Sequence, residues 1–262
     1  MVETIGELSK PLAGKRALVA GGDGEIGSVI SAGLAADGAD VAIAGLEEDS
    51  CQELADRLAT GENRTGGHAF DTTDPDSVAG LVDTLTQDWG GVDILVNCVG
   101  ILKLNLAENF DAAEWRSVVD INLTGAFLLS QAVGKAMIKQ GTGGRIVHLT
   151  SVRGHVGLAI GGFSAYGASK AGVHLLIRQL ASEWGKHQIS INGVGAGFVR
   201  TALSEAALQN PDFANMVAAR TPLGRVAELQ EVANTAIYLA GPRSSFITGQ
   251  ILYVDGGLSA SQ

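Results

Sequence analysis

Tyr166 and Lys170 stand four residues apart, a spacing that puts both side chains on one face of a helix. A free tyrosine, with a pKa of about 10, is a poor base near neutrality. A lysine ammonium beside it stabilises the phenolate and moves the phenol toward useful proton exchange. The pair therefore suits proton transfer at a substrate oxygen, as acid when a carbonyl is reduced and as base when an alcohol is oxidised. Ser151 ends the apolar run Arg145-Ile146-Val147-His148-Leu149-Thr150, where its hydroxyl would face a crevice and hydrogen-bond the same oxygen. Asn122 is suited to holding a water that links Lys170 to solvent. Taken singly, each has a plainer role: an exposed helix face for the Tyr and Lys, a kink or cap for Asn122, a strand-end turn for Ser151. Their joint order behind a glycine-rich turn favours the chemical reading.

That turn is Gly21-Gly22-Asp23-Gly24-Glu25-Ile26-Gly27, between an apolar run and a helical segment. Glycines there let the backbone approach a pyrophosphate, whose charge is favoured by the free N–H groups of a helix start. A dinucleotide so placed would supply or accept hydride. Asp71, followed by Thr72, comes after the third strand and is suited to accepting a hydrogen bond from an adenine amine. The neighbouring Asp74, before Pro75, also reads as a plain helix N-cap. Asn97-Cys98-Val99-Gly100 follows the fourth strand with a small, glycine-ended turn against which a nucleotide can lie, or which simply ends the strand.

The elements that must position these residues alternate in the form of a parallel sheet covered on both faces. Strands are expected at 16–20, 40–44, 67–70, 92–97, 145–150, 188–194 and 251–254. Helices are expected at 26–37, 49–59, 76–88, 112–139, 164–184 and 229–240. Right-handed crossovers then give an α/β, doubly wound Rossmann fold of about seven parallel strands, with ligands beyond the strands' carboxyl ends. No linker or repeat interrupts the alternation, so residues 1–262 read as one domain. Within it, 202–219, with Leu203, Leu208, Phe213 and Met216, reads as a substrate lid or else as an apolar helix pair on the core.

Of the 262 residues, 46% are hydrophobic and 18% charged, enough to bury a core without help. The net charge of −10 argues against a nucleic-acid surface, which needs clustered cations. The first residues lack a basic start and long apolar stretch, no run is long enough to span a bilayer, and a cytoplasmic location without membrane contact is the expectation. Cys51 and Cys98 have no metal-ligand spacing, so free thiols and no metal site are expected.

With these residues in hand, the sequence resembles the short-chain dehydrogenase/reductase family from about Leu12 to Gly257. Tyr166-Gly167-Ala168-Ser169-Lys170 is similar to its Y-x-x-x-K signature, Ile121-Asn122-Leu123-Thr124-Gly125 to its asparagine motif, and Ser151 to its serine. Gly197-Phe198-Val199-Arg200-Thr201 is similar to the segment that touches the nicotinamide amide, with Thr201 as the contact. The closing Ile247-Thr248-Gly249-Gln250 and Val254-Asp255-Gly256-Gly257 also resemble that family. The resemblance implies that Lys170 also holds the nicotinamide ribose and that Asn97 and Gly100 shape the nucleotide site. It further implies a homotetramer built through the helices carrying Asn122 and Tyr166.

Four positions depart from the pattern. In the loop T-G-x-x-x-G-x-G, Ala20 replaces the threonine and Glu25 the middle glycine, and an acid there weakens pyrophosphate binding unless it faces away. Ala196 replaces a proline, which loosens the turn. The second strand ends in Ala44-Gly45-Leu46-Glu47, where relatives selecting NAD often carry Asp at the position of Gly45. No cation is available for a 2′-phosphate at the position of Leu46 or in the loop, and Glu47 and Glu48 are near, so NAD is expected over NADP unless Arg64 folds back.

The loop 152–165 should wall the substrate pocket with Arg153, His155 and Phe163. Arg153 suits a carboxylate or polyol oxygen, or equally a surface salt bridge or backbone contact. By family analogy the substrate is a sugar acid or polyol, with a 3-oxoacyl thioester reductase as the rival enzyme. A non-catalytic nucleotide sensor or scaffold on the same fold is the alternative of another class.

Overall fold

The computed structural model describes residues 10–159 and 161–261. Seven strands form one sheet: β1 (Arg16–Ala20), β2 (Asp40–Gly45), β3 (Thr65–Ala69), β4 (Ile94–Asn97), β5 (Gly144–Ser151), β6 (Ile189–Ala196) and β7 (Ile251–Val254). Their order is β3-β2-β1-β4-β5-β6-β7 and every pairing is parallel. The order reverses direction between β1 and β4, which opens a crevice at the carboxyl edge. Nine α-helices are described: α1 (Glu25–Ala36), α2 (Glu48–Leu58), α3 (Pro75–Trp89), α4 (Ala112–Val119), α5 (Gly125–Gln140), α6 (Ser164–Trp184), α7 (Ala202–Leu208), α8 (Pro211–Arg220) and α9 (Leu229–Ala240).

Side chains alternate across a strand, so each central strand feeds two cores. Ala17 and Val19 of β1 join Ile30 and Leu34 of α1 and Ala233 and Ala236 of α9 on one face. Leu18 and Ala20 join Leu81 and Leu85 of α3, Leu129 and Val133 of α5 and Ile177 of α6 on the other. Fully burying one such leucine contributes about 2 kcal/mol, and the two layers fix the sheet rigidly between helices.

Boundaries moved where a local bond outranks the apolar pattern. The fourth strand starts at Ile94 rather than Val92, because Asp93 is engaged by Arg16 through Nε at 2.7 Å and Nη2 at 3.0 Å. The third begins at Thr65, since Thr65 and Gly66 pair with Val41 and Ala42 at an edge where alternation is not enforced. Asp74 caps α3, its carboxylate accepting from the Asp76 N–H at 2.9 Å with Pro75 in the first turn. The single helix expected over 112–139 is two, α4 and α5, joined by one wider turn over Asp120–Thr124 with the buried Asn122 inside it. Such insertions of one residue bend a helix and free backbone groups, and they recur at functional sites. The lid segment forms α7 and α8. Phe213 of α8 meets Phe198, just beyond β6, edge to face at 6.1 Å between ring centres. The side chain of Leu203 lies outside what is described.

Candidate active site

Parallel strands of unequal length bring the polar residues to one edge. Ser151 and Ala196 are the paired last residues of β5 and β6. The Ser151 Oγ donates to the Ala196 carbonyl at 3.4 Å and accepts from the Arg153 N–H at 3.2 Å. The alanine found in place of proline thus still presents its carbonyl to Ser151. Tyr166 and Lys170 lie in the first two turns of α6, with Lys170 Nζ 5.6 Å from the centre of the Tyr166 ring. Nζ also donates to the Leu149 carbonyl at 3.1 Å.

Asn122 is spent on structure. Its Oδ1 accepts from the Ile101 N–H at 2.8 Å, and its Nδ2 donates to the Ile101 carbonyl at 2.9 Å and to Ser169 Oγ at 3.1 Å. It therefore ties the segment after β4 to the second turn of α6, directly beside the Tyr–Lys pair. A Cβ on Gly100 would come within 3.1 Å of Lys170 Nζ and 3.3 Å of Asn122 Oδ1, so the strand-end turn closes onto the lysine. The motif serine Ser169 gains a role the sequence pattern did not reveal, since it is one of the variable positions between Tyr166 and Lys170.

Burial sets the electrostatics. It lowers the Lys170 pKa to about 8, opposed by the Cys98 thiol, and it raises that of Tyr166. The Ser151 hydroxyl and then the Arg153 charge hold the phenol down against that rise. The sequence assigns this work to Lys170 alone; in the folded chain Ser151 and Arg153 act on the phenol as well. Arg153 is buried, its guanidinium 6.0 Å from the Phe163 ring and 5.8 Å from the Phe198 ring. Its Nη1 donates to the Gly157 carbonyl at 3.0 Å, and no carboxylate pairs with it among the described residues. Burial first, then the like charge of Arg220 at the end of α8, lower its pKa. His155 packs on Tyr253 of β7, with ring centres 5.5 Å apart.

The glycine turn is tightly packed. Gly21 has φ +68°, and a Cβ on it would press on the Cys98 carbonyl carbon and the Val99 N, both at 3.1 Å. A Cβ on Gly27 would fall 2.1 Å from the Gly21 carbonyl oxygen, so only glycine lets α1 pack under the turn. Gly22 is equally confined by the Val19 carbonyl at 2.7 Å. Gly24 caps α1 with no side-chain partner, leaving the N–H groups of Glu25, Ile26 and Gly27 at a free helix start suited to a pyrophosphate. Glu25 faces away from that start: its carboxylate accepts from the Ala202 N–H at 2.9 and 3.2 Å, holding the first turn of α7.

Asn97 Oδ1 accepts from the Val99 N–H at 3.0 Å, while its Nδ2 lies 3.3 Å from the buried His148 Nδ1. Asp71 turns one oxygen to Thr73, whose hydroxyl and N–H lower its pKa. The Thr72 hydroxyl is buried and unpartnered among the described residues, against Gly125 at the start of α5. Gly197 backs onto Asp255, and Val199 forms an isolated bridge with Ala227. The Thr201 hydroxyl caps α7, accepting from the Ser204 N–H at 3.2 Å. Arg64 is committed elsewhere, to the Asp88 carbonyl at 2.7 Å and the Trp89 ring at 4.5 Å.

The family model described as Enoyl-(Acyl carrier protein) reductase, a short-chain dehydrogenase model, matches residues 20–259. The chain belongs to the short-chain dehydrogenase/reductase family. It is similar to the gluconate 5-dehydrogenase of Gluconobacter oxydans (strain 621H), with 34% identity over 95% of this chain and 96% of that protein. It is also similar to the 3-oxoacyl-(acyl-carrier-protein) reductase of Vibrio cholerae, with 37% identity over 94% and 98% of the two chains. Among solved structures, a gluconate 5-dehydrogenase from Burkholderia cenocepacia J2315 in complex with NADP and tartrate superposes with a TM-score of 0.91, 32% identity, and 97% and 98% coverage. As a short-chain dehydrogenase/reductase the chain is a nicotinamide-dependent oxidoreductase acting on CH–OH groups.

Proposed function

We propose that the substrate is a sugar acid or polyol, interconverted between secondary alcohol and ketone, with NAD favoured over NADP. The observation that carries the substrate reading is Arg153: a guanidinium buried in the wall beside the Tyr166 phenol, with no carboxylate of the protein to neutralise it among the described residues. An oxygen-rich or anionic substrate supplies that partner. Phe163 and Phe198 flank the guanidinium. The gluconate-directed relatives point the same way.

In oxidation, the Tyr166 oxygen takes the hydroxyl proton, the Ser151 hydroxyl hydrogen-bonds the same substrate oxygen, and the Lys170 ammonium favours the ionised phenol. A bound nicotinamide supplies the hydride acceptor, or the donor in reduction. Asn122 holds Ile101 and Ser169 so that the proton can pass from Lys170 toward solvent. Gly21 to Gly27, Asp71, Asn97, Gly100 and the segment 197–201 would hold the dinucleotide, and 202–219 would cover the substrate. We place the protein in the cytoplasm as a homotetramer. The exposed Trp115, Phe127 and Leu175 on α4, α5 and α6 support contact through those helices. Among the described residues no helix is long and apolar enough to cross a membrane.

One observation favours the thioester reductase: Leu102, Leu104 and Leu106 are exposed along the segment that meets the substrate loop at Gly162, a strip suited to an acyl chain. Steady-state turnover of aldonates, alditols and 3-oxoacyl thioesters with both cofactors decides between them. Turnover of aldonates or alditols is the expected result, and turnover confined to thioesters overturns it.

A further inference from the structure

The carboxyl end of β2 is where a Rossmann-type site meets the adenosine ribose, and an acidic side chain there commonly receives the 2′-hydroxyl. The chain has Gly45 at that end, with no side chain to offer. The space is already filled. A Cβ on Gly45 would lie 2.5 Å from Asp23 Oδ1, 2.9 Å from Asp23 Cγ and 2.9 Å from Cys51 Sγ. The glycine turn is pinned over the strand by its backbone, the Gly21 and Gly22 N–H groups both donating to the Ala44 carbonyl at 2.7 and 3.2 Å. Asp23 is thereby carried onto the strand end, where Ser50 Oγ, in the first turn of α2, donates to Asp23 Oδ2 at 2.7 Å. That bond fixes one oxygen and leaves Oδ1 above the glycine.

The surroundings hold no compensating cation among the described residues. Leu46 is 73% exposed, Glu47 and Glu48 are acidic, and Arg64 is held at the far side by Asp88 and Trp89. Consistent with a carboxylate at this corner, the buried Cys51 thiol is pushed up to about 11, by burial first and by Asp23 second.

We propose that Asp23 is the cofactor-selecting residue: the glycine turn delivers over Gly45 the carboxylate that the end of β2 lacks, and it receives the ribose 2′-hydroxyl and repels a 2′-phosphate. Glycine at position 45 leaves room for the Asp23 carboxylate, because any Cβ there would meet both Asp23 and Cys51. The proposal rests on the reading that NAD is the favoured cofactor and names the residue responsible for it.

Dissociation constants of NADH and NADPH, read by nicotinamide fluorescence on the full chain, test it together with the kcat/KM ratio for the two cofactors. In the unaltered protein NADH binds more tightly. Asp23→Asn, which keeps the shape of the side chain and removes its charge, and Asp23→Ser each reduce the NADH-to-NADPH preference at least tenfold. Adding Gly45→Asp with Cys51→Ala to Asp23→Ser, which clears both groups that a Cβ at position 45 would meet, restores the preference for NADH, because the acid then comes from the strand. An unaltered protein that prefers NADPH removes the NAD reading itself. An NADH preference that survives both Asp23 variants, with thermal unfolding unchanged, overturns the role of Asp23 alone.

Discussion

Tyr166 is a half-buried phenol whose acidity is set by desolvation acting against the Ser151 hydroxyl and the Arg153 guanidinium. In alcohol oxidation the phenol must be ionised, so activity rises as pH climbs through its pKa. Arg153→Gln removes a charge that favours the ionised form, and the phenol pKa therefore rises further. The acidic limb of the kcat/KM profile for oxidation is expected to move to higher pH. A limb that stays in place or moves down shows that Arg153 does not act on the phenol. Of these residues, Tyr166, Lys170, Ser151 and Asn122 are visible in the sequence by type and spacing. The position of Arg153 is not, because it depends on a loop folding back across Phe163 and Phe198.

At the scale of elements, Glu25 shows how a departure from a motif is absorbed. An acid in the glycine turn would oppose a pyrophosphate, yet its carboxylate spans to the first N–H of α7 and joins the turn to that helix. Loss of a helix-start acceptor typically costs about 1 kcal/mol, which corresponds to about a fivefold change in an opening equilibrium. Glu25→Ala is expected to accelerate amide hydrogen exchange at Ala202 and its neighbours about fivefold. Unchanged exchange there would show that the contact does not hold α7. The sequence places Glu25 in the turn and α7 in the lid, but 177 residues separate the partners and no local pattern joins them. The wider turn at Asn122 escaped for a related reason: helical periodicity runs through 112–139 almost undisturbed, and the inserted residue is stabilised by Ile101 and Ser169 from elsewhere.

Over the whole molecule, the fold was legible because every central strand is buried on both faces and every crossover is helical, a pattern that apolar runs and glycines transmit directly. What was not legible is the packing of one end of the sheet onto itself. The meeting of Asp23 with Gly45 is of this kind, its two signals lying in different motifs. The sheet therefore does more than carry the site, since its strand ends determine which polar groups meet. At that edge, Tyr166 is the group proposed to transfer the proton in a nicotinamide-dependent reaction. Tyr166→Phe removes only the phenolic oxygen, and the direct measurement is turnover of an accepted alcohol alongside NADH affinity by fluorescence. Loss of kcat by about 10²- to 10⁴-fold with NADH affinity retained is the expected result. Undiminished turnover by Tyr166→Phe would show that the phenol does not carry the proton.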